Sequence, residues 1–188
     1  VHYTDSIAEG LGVDGTVERF RELRPDLVVI ATSTPTIHTD LLMARLAREK
    51  AGAFTVLVDT HVTVFHQELG AEPFVDAAVR GEFEVAVPDM ADALNGGGDL
   101  VRVEGLTWKR DGQVVVNPDR PLIRDLDALP WPDRDLVPAE RYIVGLRTQD
   151  PCFMVMASRG CPFRCTFCLW VPVMFNNKVR FRSVEKVV

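Results

Sequence analysis

Three cysteines stand at C-x3-C-x2-C spacing in Cys161-Pro162-Phe163-Arg164-Cys165-Thr166-Phe167-Cys168, directly after an apolar stretch. A loop this short can aim three thiolates at one corner of a cubane iron–sulfur cluster. A [4Fe–4S] cluster usually takes four cysteines, so one iron would stay open to a substrate or cofactor. The competing reading is structural zinc, which usually takes four ligands, often in C-x2-C pairs. No second pair exists, and no histidine lies near the loop. Disulfides are not expected, because nothing else in the chain has a secreted character. Cys152 lies outside the spacing and reads as a small buried hydrophobe.

The elements that must carry this loop alternate between strand and helix patterns. Val1–Thr4 fits a short strand. Thr16–Leu23 fits a helix with Val17, Phe20 and Leu23 on one stripe, capped by Asp14 or Gly15. Leu27–Ala31 is a continuous apolar run, as expected of a strand buried on both faces. A helix is predicted over Asp40–Lys50, strands over Thr55–Val58 and Val75–Val79, and a helix over Val87–Leu94. Pro88 suits the first turn of that last helix, and Gly96-Gly97-Gly98 stops it. Repeated βα units predict a doubly wound, flavodoxin-like parallel sheet. Ligands of such sheets bind at the C-terminal strand ends. That directs attention to the loops at 33–36, 59–62 and 81–84.

Asp111-Gly112 between β-rich flanks is a hairpin signal. The Pro- and Asp-rich stretch from Asn117 to about Gln149 reads as an extended linker. Phe153–Ala157 is predicted as a fresh strand feeding the cysteines. The domain reading is therefore 1–104 for the sheet, 105–150 for hairpin and linker, and 151–188 for the cysteine-bearing unit.

The chain has 188 residues, 47% hydrophobic and 26% charged, with formal net charge −6. No basic, aromatic-laced stripe argues for nucleic acid. No apolar run reaches the ~18–20 residues that span a bilayer, and no signal peptide is visible. The cysteine usage points to a reducing, cytoplasmic setting.

The stretch Ala157-Ser158-Arg159-Gly160-Cys161 through Cys168 resembles the cluster loop of radical S-adenosylmethionine (SAM) enzymes. The resemblance implies that Cys161, Cys165 and Cys168 hold a [4Fe–4S] cluster whose open iron is chelated by SAM, and that Phe167 lies near the adenine. It implies an electron donor such as flavodoxin or ferredoxin, and a 5′-deoxyadenosyl radical that activates a C–H bond. Arg180–Val188 resembles the start of the first helix of that family's (β/α) barrel.

A second resemblance spans nearly the whole chain. Arg24–Ile30, Val75–Glu84 and Asn117–Pro130, in this order before the cysteines, are similar to radical SAM enzymes carrying an N-terminal cobalamin-binding domain. This implies that Ser33, Thr34, Thr60, His61, Gly81 and Glu82 line the corrin or its nucleotide tail. It also implies methyl transfer, rearrangement or cyclisation on a small-molecule or lipid-like substrate. From spacing alone, Gly81-Glu82 also fits an ordinary turn, His61 a surface position, and Glu82 and Glu84 a favourable charge before a helix. The chain departs from the family in having Val58-Asp59 where paired glycines are common, and in lacking a D-x-H-x-x-G motif. The resemblance further implies a strand and helix before Val1 and the rest of a barrel after Val188. The chain by itself is thus expected to be inactive. The rival readings are a radical SAM enzyme without cobalamin, and a non-catalytic zinc or iron–sulfur protein.

Overall fold

The computed structural model describes residues 1–97, 99–142 and 152–188. Within them, α1 (Val13–Leu23), β1 (Leu27–Ala31), α2 (Ile37–Ala51), β2 (Phe54–Val58), α3 (Thr60–Ala71), β3 (Ala77–Val79) and α4 (Ala86–Asn95) follow one another as βα units. A hairpin of β4 (Leu106–Arg110) and β5 (Gln113–Val116) comes next. The five strands form one sheet in the order β1-β2-β3-β4-β5. β1, β2 and β3 run parallel, with Leu27 beside Phe54 and Val56 beside Ala77. β4 joins β3 antiparallel, Ala77 facing Trp108. The hairpin is therefore an extension of the parallel sheet, continuous with it.

Side-chain alternation explains why β2 and β3 are apolar without interruption. Val56, Val58, Ala77 and Val79 point to one face, where Ala86 and Met90 of α4, Leu106 and Trp108 cover them. Leu57 and Ala78 point to the other face, against Ala44 of α2 and Val62 and Leu69 of α3. A strand covered on both faces has no position left for a polar residue unless that residue is bonded. Thr55 shows the exception: it is fully buried, and its hydroxyl donates to the Asp76 carboxylate at 3.1 Å. Burying one such Leu or Val contributes about 1.5–3 kcal/mol. β1 is the sheet edge, and its Val29 and Ala31 are exposed.

Several expectations are corrected at the element ends. Val1–Thr4 is not a strand and lies exposed. α1 starts at Gly12 as N-cap, so Asp14 and Gly15 fall inside its first turn. α2 begins three residues before Asp40. α3 was absent from the sequence pattern altogether. Its exposed Val64 and Phe65 interrupt an amphipathic stripe, and Phe65 itself leaves helical geometry at φ −107° and ψ 27°. At the hairpin turn Asp111 and Gly112 both have positive φ, 51° and 79°, the mark of a type I′ turn.

The stretch after Asn117 is more packed than a linker. Leu126 is 1% exposed, and 3-10 turns form at Leu126–Ala128, Arg134–Leu136 and Ala139–Arg141. The end of the predicted linker, residues 143–150, lies outside the described residues.

Beyond it, residues 152–157 are not a strand, and Met154, Val155 and Met156 are exposed. Strand pairing is confined to β6 (Ser158–Arg159) against β7 (Arg180–Phe181). Between them lie the cysteine loop and α5 (Trp170–Phe175); α6 (Val184–Val187) follows. Regular helix in the region that resembles a barrel helix thus starts only after Ser183. No helix among the described residues is long and apolar enough to cross a membrane.

Candidate functional site

The cysteine loop leaves β6 through Gly160, whose φ is +91°. Glycine is required there on two counts. The backbone conformation is one that L side chains avoid. A Cβ would also collide with the Lys178 carbonyl, lying 2.8 Å from its carbon. Beyond the glycine, Cys161 and Cys168 are half-buried and Cys165 is exposed; all three are free thiols, as is Cys152. The Cys168 amide donates to the Cys165 carbonyl at 3.0 Å, so the C-x2-C half closes as a turn. Phe167, at 89% exposure, stands off the loop into solvent. Among the described residues no group of three or more His, Cys, Asp and Glu converges as a metal site. The thiols share one loop without being drawn together. Their donor chemistry nonetheless suits iron: three unpaired soft thiols within eight residues.

α5 ties the far side of the loop to the sheet domain. Met174 and Phe175 are buried, and the Met174 sulfur accepts from the Thr63 hydroxyl of α3 at 3.6 Å. Trp170 meets Phe175 edge-on, with centroids 5.4 Å apart. Met174 and Phe175 are thus core, whereas Leu169 and Trp170 remain exposed.

The residues expected around a corrin do gather at the C-terminal ends of the parallel strands. Ser33 and Thr34 follow β1 and are exposed. Thr60 and His61 are the first residues of α3, not a loop, because α3 begins immediately after β2. The Thr34 hydroxyl is 2.9 Å from His61 Nδ1, joining the first two loops. His61 also lies against Phe65, with ring centroids 4.7 Å apart. The Ser33 hydroxyl is 2.8 Å from that of Thr36, which donates to Asp40 at 2.6 Å. Burial pushes the Asp40 carboxyl above its ordinary value, against the bonds it accepts from Thr36 and Ser33. Gly81, after β3, donates its amide to the Thr63 hydroxyl at 2.9 Å.

Asp59 is the strained member of this edge. At φ 89° and ψ −168° it occupies a region that only glycine enters freely. Its carboxylate compensates locally by accepting from the Thr60 amide at 2.5 Å and hydroxyl at 2.7 Å. Asp59→Gly relieves the strain and loses a cap that glycine replaces at a cost of a few tenths of a kcal/mol. Asp59→Ala keeps the strain and loses the cap. Urea denaturation is expected to rank the glycine variant above the alanine variant by about 1–2 kcal/mol.

Glu82 is buried, with a side chain 3% exposed, and faces the cysteine-bearing unit. Its Oε1 accepts from Arg159 at 2.8 Å. Its Oε2 accepts from Arg180 at 2.7 Å and from the Ile123 amide at 2.8 Å. Arg159 is shared with Glu84. Burial alone would raise the Glu82 carboxyl; the bonds from Arg180, Arg159 and Ile123 outweigh it and hold it below the usual carboxylate range. The two arginines were missed by sequence reasoning. The signal for them was slight: two charged residues flanking the cysteine loop at positions otherwise suited to a strand.

The 123–131 stretch straps the same region. Ile123 accepts from Arg180 at 2.6 Å, Leu129 from Arg182 at 3.4 Å, and Asp127 from the Ser183 amide at 3.1 Å. The Arg182 guanidinium lies 4.8 Å above the Trp131 ring.

No family model matches the chain. It is 36% identical over 192 residues to an uncharacterised methyltransferase of Pyrococcus horikoshii, covering 100% of this chain and 40% of that one. It is 34% identical over 198 residues to an anaerobic magnesium-protoporphyrin IX monomethyl ester cyclase of Rubrivivax gelatinosus, covering 100% of this chain and 34% of the cyclase. The chain thus spans well under half the length of these relatives. In fold it is similar to the cobalamin-dependent SAM radical enzyme OxsB, solved with aqua-cobalamin and SAM, at a TM-score of 0.72 and 18% identity over 97% of this chain and 25% of OxsB. The chain is thus similar over its whole length to a methyltransferase and to a cyclase, and it shares the fold of a cobalamin-dependent SAM radical enzyme.

Proposed function

We propose that this chain forms the cofactor-holding part of a cobalamin-dependent radical SAM enzyme with methyltransferase-like activity. The observation that carries the proposal is the trio of free thiols on one loop, Cys161, Cys165 and Cys168, hung from a sheet whose ligand-binding edge carries hydroxyls and small residues. In this reading the three cysteines hold a [4Fe–4S] cluster and leave its fourth corner for SAM. Phe167, exposed on the loop, packs against the adenine. Ser33, Thr34, Thr60 and His61 supply hydroxyl and imidazole groups to the corrin side chains and nucleotide tail. Gly81 permits close approach, since nothing lies within 4 Å of where its Cβ would be. When bound, these groups supply one-electron radical chemistry and a transferable methyl group, while the protein orients them and excludes water. The substrate is a small or lipid-like molecule, the electron comes from a flavodoxin- or ferredoxin-like donor, and the setting is the cytoplasm. Similarity to the cyclase of R. gelatinosus favours a second outcome of the same radical step, ring closure instead of methylation. The units proposed are 1–104 for cobalamin, 105–150 for the linker and the hairpin, whose strands extend the same sheet, and 151–188 for the start of the barrel.

Anaerobic reconstitution is the test. The unsubstituted protein is expected to take up about four iron atoms per chain. Alanine at Cys161, Cys165 or Cys168 should remove most of that iron, whereas Cys152→Ala should not change it. Zinc binding without iron would overturn the proposal. Iron uptake without corrin absorbance would leave only the radical SAM half standing.

A further inference from the structure

We infer that Glu82 is a positioning residue for the cysteine loop, reaching across from the sheet domain to hold β6 and β7 together. The inference rests on the reading that this loop binds iron, and it assigns Glu82 a role apart from contacting cobalamin.

β6 and β7 make only two cross-strand pairs, and one of them sets Arg159 directly opposite Arg180. Like charges facing each other across a ladder are destabilising. Here the side chains are largely shielded from water, 14% and 11% exposed. Two strands of two residues cannot hold themselves together against that repulsion. Glu82 removes the conflict by placing one carboxylate oxygen on each guanidinium. Arg159 has a second acidic partner in Glu84. Arg180 has none among the described residues, and its Nε and one terminal nitrogen are buried without an acceptor. Its remaining neighbours are the Ile123 carbonyl and the ring of Phe175, 5.5 Å from the guanidinium carbon.

The consequence for the loop is direct. Arg159 is followed by Gly160, and Gly160 by Cys161. Whatever fixes Arg159 fixes the departure point of the first thiol. Glu82 lies immediately after Gly81 at the end of β3, so the carboxylate also couples the corrin-side edge to the cysteine side. A buried ion pair of this kind contributes little net stability but strongly disfavours alternatives that leave one partner uncompensated.

The test follows the thiols one by one in the apo protein, by mass-resolved alkylation, and then follows iron. Glu82→Gln preserves shape and removes charge; Arg159→Met removes the partner from the loop side without touching the sheet. In Glu82→Gln alkylation of Cys161 and Cys168 is expected to accelerate about tenfold or more, because breaking a buried pair makes local opening much cheaper. In Arg159→Met, which loses the tether but also the facing charge and leaves Glu82 on Arg180, the acceleration is expected to be smaller. Cys165 is already exposed and should react at its former rate. After reconstitution, both variants should lose iron to a chelator faster and show a broadened spectrum of the reduced cluster. The thermal transition of the sheet should persist in at least the Arg159→Met variant. Unchanged reactivity of Cys161 and Cys168 in both variants would overturn the inference, as would equal acceleration of Cys165. If the unsubstituted protein bound no iron, the proposed function would fail, while the alkylation pattern would still decide whether Glu82 holds the loop.

Discussion

Gly160→Ala is expected to abolish iron binding while leaving the five-stranded sheet folded. The new methyl group cannot be accommodated by a side-chain movement, because the obstacle is the Lys178 carbonyl, part of the backbone beside β7. The residue must also keep φ +91°, which alone costs an L residue about 1–3 kcal/mol. Overpacking against fixed atoms adds about 1–3 kcal/mol more. Together these exceed what a two-pair ladder can sustain, so β6 separates from β7 and Cys161 loses its origin. Hydrogen exchange should report the loss at residues 158–160 and 178–182 alone. Circular dichroism and the urea midpoint of the sheet should change little. A suitable control is Gly52→Ala, after α2 and away from both proposed sites. Its φ of +69° carries a comparable conformational penalty, but nothing within 4 Å opposes the methyl group. Equal iron content in Gly160→Ala and the unsubstituted protein would show that the loop does not depend on this glycine.

The second large effect lies in the sheet. Asn117 is 4% exposed and satisfies three buried groups at once. Its Nδ2 donates to the Leu100 carbonyl at 2.7 Å and the Val103 carbonyl at 2.8 Å, and its Oδ1 accepts from the Trp108 indole at 3.1 Å. Asn117→Ala leaves the Val103 carbonyl and the Trp108 indole N–H unpaired inside the protein, and takes one of two donors from the Leu100 carbonyl, which keeps the Val103 amide at 3.0 Å. Each buried group stripped of its partner costs about 1–3 kcal/mol, so a loss of about 3–5 kcal/mol in urea denaturation is expected once water enters part of the space. Asn117→Asp tests the direction of the bonds: it keeps an acceptor for Trp108 but turns a carboxylate toward two carbonyl oxygens. It should be no more stable than the alanine variant. A loss under about 1 kcal/mol for Asn117→Ala would mean that the surrounding backbone finds other partners.

These two positions show what could be read from the residues in order. Asn117-Pro118 looked like the opening of a linker, because a polar residue before proline is locally a turn signal. Its true environment is created by Leu100, Val103 and Trp108, up to seventeen positions away. Glycine before Cys161 was part of a recognisable pattern, yet the reason for it, the Lys178 carbonyl, is folded back from the far side of the cysteine loop.

The chain's own order of residues determined the parallel sheet, the hairpin at Asp111-Gly112 and the three-thiol loop. All of these rest on short-range patterns: apolar runs, period-two alternation, paired positive-φ residues and cysteine spacing. Tertiary structure alone decided that α3 starts at Thr60, that Val1–Thr4 and residues 153–157 do not pair as strands, and that Glu82 serves two arginines. A strand needs a neighbour and a buried charge needs a counter-charge. Neither partner can be identified until distant segments have been brought together.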